Sequence, residues 1–329
     1  MRLGAILTLA GGHAAENYFR RASGVEAAET KRSSALNYSF DILGSPLLER
    51  IVAKLKLAGV DSATVLKDNA GSNHLLPSQS SKGAAFLSEW ESAVARAVKD
   101  GIDHLFLLRV GAYTDLDYAQ LLEYHVQARQ PMTQAYGPNG SLDTAVFDVA
   151  FLRNSDGAYR KTLSSLITQP CRFDFQGYVN PLRNLRDLYQ LMQDGLYGRC
   201  GLRPAGKEMQ QGIWLGENTA IDSTATISAP AFIGEGCEVA ASCAVVGGCS
   251  IERNCKIDYG TLIQESCILP DTYIGVALDV RRAIVAGAKM YPLNRNVEIK
   301  IADRRLVGNN SQPSSLLAGL GSWVTGSAY

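Results

Sequence analysis

Histidine is scarce in this chain and stops early: the four are His13, His74, His104 and His125. Without one between Leu215 and Tyr329, the C-terminal part lacks the usual general base and zinc ligand, so acyl transfer or metal-dependent hydration is not expected there. Net charge is missing as well. Lys+Arg number 32 and Asp+Glu 32, so no global field draws the protein to nucleic acid or anionic lipid, and the aromatic-plus-basic stripe of a single-strand binder is absent. Neither a nucleic-acid partner nor a membrane is expected. No Cys-x-x-Cys pair occurs among the seven cysteines. The apolar run Leu3 to Ala10 follows a single Arg and ends in Gly-Gly, which suits a buried first strand better than a secretory signal, so the expected compartment is the cytoplasm.

What the chain does have is a period of six. Leu215, Ile221, Ile227, Ile233, Val239, Val245, Ile251, Ile257, Ile263 and Leu269 follow one another without a slip. Neither a helix nor an ordinary strand keeps ten aliphatic residues in that register, whereas a hexad-repeat β-helix does. Two residues before these positions stand Ala225, Ala231, Cys237, Cys243, Cys249, Cys255, Thr261 and Cys267, all small enough for a coil corner. Five cysteines thereby read as small buried hydrophobes, and Cys237 with Cys255, like Cys249 with Cys267, are expected to stack on adjacent coils. The pattern closes at Tyr273, where Ile274 arrives one residue early. The run resembles the left-handed hexapeptide β-helix, with three hexads to a triangular coil, and implies a little over three coils whose end faces need covering.

At 329 residues, 46% hydrophobic and 19% charged, the chain fits two globular domains. Ahead of the hexads, strand and helix alternate. Leu3–Ala10 is a strand ending in a turn. Pro46 to Gly59 is a helix with Leu48, Ile51, Val52, Leu55 and Ala58 on one face, Pro at its start and Gly past its end. Ala63–Leu66 is a strand, Asn69–Ser81 a loop, Phe86–Lys99 a helix. Gly101–Leu108 leads into another strand, and Asp117–Gln127 is a helix with Leu121, Leu122 and Tyr124 inward. The alternation is that of an α/β domain.

The segments Leu9-Ala-Gly-Gly12, Gly44-Ser-Pro-Leu-Leu-Glu49, Thr114 to His125, Gly177-Tyr-Val-Asn180 with Leu185 to Leu191, and Gly212-Ile-Trp-Leu-Gly216 stand in an order that resembles the sugar-1-phosphate nucleotidyltransferases (nucleotide-sugar pyrophosphorylases). The resemblance covers roughly residues 1 to 290. It implies an α/β Rossmann-like nucleotidyltransferase domain followed by a left-handed parallel β-helix of hexapeptide repeats. The expected division is 1–205 for the first domain, 206–302 for the β-helix and 303–329 for a mobile tail. The resemblance also implies a homo-oligomer built through the β-helix, and a nucleotide or nucleotide-sugar ligand at Leu9, Ala10, Gly11 and Gly12.

The family's reaction needs Mg2+ held by carboxylates and cations against developing charge. The residues carrying that chemistry in the family are replaced here. Gly111 and Asn180 stand at its two metal-carboxylate positions, His13-Ala-Ala-Glu16 follows the Gly-Gly turn, and Leu36–Asp41 lacks the activating lysine. Arg20 and Arg21 are candidate substitutes for the loop arginine. Asp115 and Asp117 are candidate replacement metal ligands, with helix-start residues satisfying backbone N–H groups as the simpler reading. No cofactor is expected unless an active alternative with Mg2+ holds. Two readings follow. One is a nucleotidyltransferase-like binding, regulatory or structural subunit of sugar-nucleotide or polysaccharide metabolism that has lost catalysis; the other is an active sugar-1-phosphate nucleotidyltransferase with relocated ligands. Beyond the repeats, Arg281 and Arg282 are either an anion site or, preferably, a solvated basic corner, and Val297–Ile301 alternates like a terminal strand.

Overall fold

The structure is a computed structural model and describes residues 1–10, 41–68, 75–76, 84–153, 158–295 and 297–310. The chain divides into two compact units, with the division of the main chain falling at Asn184/Leu185 and the short segment Asp41–Ser45 belonging to the second.

The first unit is an α/β layer. Strands β1 (Leu3–Ala10), β2 (Ser62–Asp68) and β3 (His104–Val110) are parallel, with Leu7 opposite both Val65 and Leu108. The hairpin of β5 (Met132–Gly137) and β6 (Gly140–Asp148) follows the short strand β4 (Tyr113–Thr114), and β6 lies antiparallel between β3 and β5. With β7 (Cys171–Asp174) parallel to β5, the order is β2-β1-β3-β6-β5-β7. Burial of β3 on both sides explains its unbroken apolar run. Leu105 and Leu107 pack in one cluster with Trp90, Ala93 and Val94 of helix α2 (Ala84–Lys99), whereas Phe106 meets the Tyr118 ring edge-on across 6.0 Å. Tyr118 opens α3 (Tyr118–Ala128), which the Asp117 side chain caps by accepting from Ala119 N–H at 2.8 Å. Leu121 and Leu122 are buried as expected, but Tyr124 is 39% exposed. The buried stripe is Tyr118, Leu121, Leu122 and His125, which leaves Tyr124 on its flank with its ring against Phe173 at the β7 edge. Helix α1 (Leu47–Leu57) buries Leu47 and Leu55, while Leu48, Ile51 and Val52 are half-buried.

The second unit winds through three sheets. Ile213–Leu215, Ala231–Ile233, Cys249–Ile251, Cys267–Ile268 and Ala283–Ala286 are parallel neighbours in the first. Four strands from Ala220–Ile221 to Thr272–Ile274 form the second, and four from Thr226–Ile227 to Asp279–Arg281 the third. Every third strand therefore pairs, as in a three-sided coil compatible with a β-helix. The inward column Ile233, Val239, Val245, Ile251, Ile257 and Ile263 is sealed from solvent, each such side chain contributing about 1.5–3 kcal/mol of burial. Corner residues such as Asn218, Asn254 and Asp271 have positive φ, a conformation that short polar side chains tolerate.

The register shifts earlier than the sequence suggested. Ile251 pairs with Ile268, not Leu269, and Lys256 with Tyr273, so one hexad is a residue short between Ile263 and Ile268. Ile274 is then in step, and the inward column continues through Val280 and Val285. The winding amounts to four coils plus a fifth strand in the first sheet, more than expected. Ser266 takes the corner place assigned to Cys267, which faces outward on the first sheet beside Ser250 and Ile284. Cys249 and Cys267 therefore do not stack, whereas Cys237 Sγ does meet Cys255 N at 3.4 Å.

Helix α6 (Leu185–Leu196) belongs to this unit rather than to the first domain as expected. The outward row of the first sheet, Phe232, Ser250, Cys267 and Ile284, is buried. Met192 reaches Ser250, Gln193 donates to Gly248 O at 2.6 Å and Tyr189 donates to Glu265 O at 3.2 Å. The end of the winding is closed by reversed strands: Lys289–Pro292 in the first sheet and Val307–Asn309 in the second. Val307–Asn309 lies in the expected tail, and its Val307 is buried; residues 311–329 are outside the described residues. Only Ile299–Lys300 of the expected Val297–Ile301 strand forms. Arg281 pairs with Asp279 at 2.7 Å and Arg282 lies 3.6 Å from Glu265, both exposed.

Candidate functional site

Parallel strands deliver their carboxyl ends to one edge of a sheet, the usual place for ligands in open α/β sheets. In the first unit Ala10 is opposite Asp68 and Leu9 opposite Val110, so the end of β1, Asp68 and Gly111 share that edge. Asp68 is fully buried. Sequence reasoning passed over it because it falls at the border of the polar loop that follows β2, where no motif marks it.

Beyond Gly111 the chain turns into β4, which pairs antiparallel with β8 (Val179–Asn180), Tyr113 opposite Asn180. The ladder holds Asn180, one of the two positions to which the resemblance assigns metal carboxylates; the other, Gly111, lies two residues before Tyr113. Gly111 offers no side chain, and among the described residues nothing lies within 4 Å of the place its Cβ would occupy. Asn180, 5% exposed, accepts from Leu182 N–H at 3.0 Å through Oδ1 and places Nδ2 3.5 Å from Tyr178 Oη. Its oxygen is thus engaged by a backbone turn.

The two candidate replacements are engaged too. Asp115 Oδ1 accepts from Tyr113 Oη–H at 2.8 Å, and Asp115 N–H donates to Tyr178 O at 3.0 Å. Asp117 caps α3. Among the described residues no three His, Cys, Asp or Glu side chains group as a metal site. An amide and a glycine do not fit a hard divalent cation, which takes charged oxygen ligands. Gly11, Gly12, Arg20 and Arg21 lie outside the described residues, as does the side chain of Ala10.

A second feature of this unit left no motif. Arg50 and Lys54, one turn apart on α1, and Arg109 of β3 line a recess with Tyr113, Thr114 and Thr144. Lys54 Nζ donates to Thr114 O at 2.8 Å and lies 5.2 Å over the Tyr113 ring. Arg109 lies 3.7 Å from Asp143, and its Nε is buried with no partner among the described residues. The one sequence signal was the pair of cations four apart on a helix face whose neighbours are apolar.

Compared with known proteins, the chain matches no family model and no curated sequence.

Proposed function

We propose that this chain is a nucleotidyltransferase-like protein whose C-terminal region is a left-handed β-helix, and that it binds a nucleotide or nucleotide-sugar as a regulatory or structural subunit rather than carrying out metal-dependent transfer. The observation that supports this most is what stands at the expected metal positions: Gly111, which brings no ligand, and, in the β4–β8 ladder, an Asn180 whose oxygen accepts from Leu182 N–H. Removing one electrostatic contributor from a preorganised site costs roughly 2.7–4 kcal/mol, and a reaction that depends almost wholly on such contributors does not survive the loss of several.

A coupled pyrophosphate assay over the common nucleoside triphosphates and hexose-1-phosphates, with Mg2+ or Mn2+, is expected to show no turnover above background. A thermal-shift screen of nucleotides and nucleotide-sugars is expected to raise the melting temperature for at least one. Restoring the carboxylates tests the geometry itself. Among the described residues nothing crowds a side chain at Gly111, so the double variant Gly111→Asp, Asn180→Asp is expected to gain Mg2+ binding that calorimetry detects and the parent lacks.

The active alternative has one observation in its favour, the buried Asp68 carboxylate at the same sheet edge as Gly111. Turnover near one per second for any substrate pair, abolished in Asp68→Asn, would establish that reading instead.

A further inference from the structure

We propose that copies of this chain associate head to tail through the winding, the acidic first-coil end of one docking on the basic closing end of the next. The chain as a whole is charge-neutral, but the winding is not uniform along its length. From Glu208 to Glu252 the sequence holds six carboxylates and no Lys, Arg or His, so the first-coil end is acidic even with the preceding Lys207 counted. From Arg281 to Arg305 it holds seven cations against two carboxylates, and residues 311–329 add no charged side chain.

The order of the sheets carries these charges to opposite ends. In the second sheet one outer strand is Ala220–Ile221, followed directly by Asp222, and the other is Val307–Asn309, shortly after Arg304. In the first sheet Lys300 lies in the outer strand Ile299–Lys300. Glu217 and Glu235 stand one coil apart at a corner of the first two coils, where Gly236 N–H donates to Glu217 O at 2.9 Å. Part of each set is neutralised inside the molecule: Glu238 pairs with Lys256, and Arg281, Arg282, Lys289 and Arg305 have carboxylates of their own. Glu217, Asp222, Glu235, Arg295, Lys300 and Arg304 are exposed and enter no ion pair among the described residues.

Each end also shows apolar surface among its charges. Met209 is exposed, and Leu215, Ile221 and Ile227 are half-buried, at the first coil; Val297, Ile299 and Leu306 are exposed at the closing end. Apolar area inside a polar rim is the make-up of a specific interface. The signs of the two rims decide the arrangement. Two first-coil ends in contact would oppose carboxylates and two closing ends would oppose cations, each a like-charge juxtaposition that disfavours the contact. Only unlike ends match, and such a heterologous contact continues from copy to copy into a ring or a filament. Both surfaces lie in the winding alone and need nothing of the function proposed above.

The test is sedimentation velocity on the full chain at micromolar concentration, for the parent and three variants. One reverses the acidic end (Glu217→Lys with Asp222→Lys), one the basic end (Lys300→Glu with Arg304→Glu), and the third carries all four substitutions. The parent is expected to sediment as a multiple of 35.4 kDa. Its association is expected to weaken about tenfold between about 0.1 M and about 1 M sodium chloride, as the Debye length falls from about 10 Å to about 3 Å. Each one-end variant is expected to drop to the single mass, because its two ends then carry the same sign. Mixing the two one-end variants, or placing all four substitutions in one chain, is expected to restore the assembly, a recovery that damaged folding does not imitate. A parent of single mass in both salts overturns the proposal, as do one-end variants that assemble like the parent and a fourfold variant that stays at the single mass.

Discussion

His125 shows how burial acts on a single titratable side chain. It is 1% exposed, its Nδ1 lies 2.8 Å from Thr133 Oγ1, and the His104 ring stands edge-on at 5.3 Å. Burial, reinforced by His104 and opposed by Asp148, pushes it down to about 4 from the ordinary 6.5. The folded state holds the neutral ring while the unfolded chain takes up the proton first. This contribution is therefore complete above about pH 6.5 and is lost as pH falls toward 4, by about 3 kcal/mol at most. Urea midpoints are expected to drop between pH 7 and pH 4.5, and less so in His125→Gln; equal drops in both proteins would show that the ring does not titrate with folding. The corner thiols make the same point. Cys237, Cys243 and Cys255 donate to Glu252 O, Asp258 O and Leu269 O on the next coil at 2.9, 3.0 and 3.1 Å. Burial raises the Cys243 and Cys255 thiols, Cys249 to about 11, and likewise the thiol of Cys267 on the outer face of the first sheet, so the nucleophilic thiolate is disfavoured. A water-soluble thiol reagent is expected to label only the partly exposed Cys171 rapidly; rapid labelling of three or more without denaturant would contradict this burial. Their small size was legible in the sequence. Their role as donors to the next coil was not, because the acceptors lie 14 or 15 residues on and belong to the backbone.

At the scale of elements, the first sheet of the winding depends on what covers its outer row. Leu191 and Met192 of α6 are fully buried, and α6 shields Ser250 and Cys267. Leu191→Ala is expected to cost about 2–5 kcal/mol, seen as a lower denaturant midpoint and increased dye binding to exposed apolar surface. The segment Asp41–Ser45 is anchored within the same unit chiefly by side chains of the winding, with Ala205 N–H donating to Leu43 O at 2.9 Å as well. Glu252, sealed from solvent, accepts from Leu43 N–H and Gly44 N–H at 2.9 Å each, and the neighbouring Arg253 pairs with buried Asp41. Gly44 has φ +83° and Phe232 Cζ only 2.6 Å from where a Cβ would stand, so no other residue fits this turn. Glu252→Ala leaves two N–H groups unsatisfied, each a loss of about 1–3 kcal/mol. A midpoint within 0.5 kcal/mol of the parent would mean the segment is not anchored there. In the sequence the stretch around Gly44 read as the lead-in to a helix of the first domain, since a contact between residues 43 and 252 has no local signature.

At the scale of the whole molecule, the two ends of the winding differ in burial among the described residues, although a reversed strand, Lys207–Gln210, also pairs with Ile213–Leu215 at the first. Reversed strands cover its last coil, but Leu215, Ile221 and Ile227 of the first are only half-buried where the later inward residues are sealed. Half-buried aliphatics on a flat coil end favour self-association. Light scattering at micromolar concentration is expected to give a multiple of 35.4 kDa; a particle of that single mass would rule the assembly out, and Ile221→Glu is expected to dissociate it.

The hexad period fixed the winding by itself, because one inward aliphatic per side of a three-sided coil is a local, repeating requirement that any reader of the sequence can count. The strand-helix alternation of the first unit was equally local, down to Asp117 as the α3 cap. Only the tertiary structure decided the rest. One missing residue between Ile263 and Ile268 moved Cys267 from a corner to an outer face, and the fold tolerates that shift because strands three apart re-pair in the new register. The cover of that face by α6, the hold of Glu252 on Leu43 and Gly44, and the meeting of Arg50 and Lys54 with Arg109 all join residues far apart in the chain. Such contacts leave no period in a sequence, since each is set by how packed elements converge and not by spacing along the backbone.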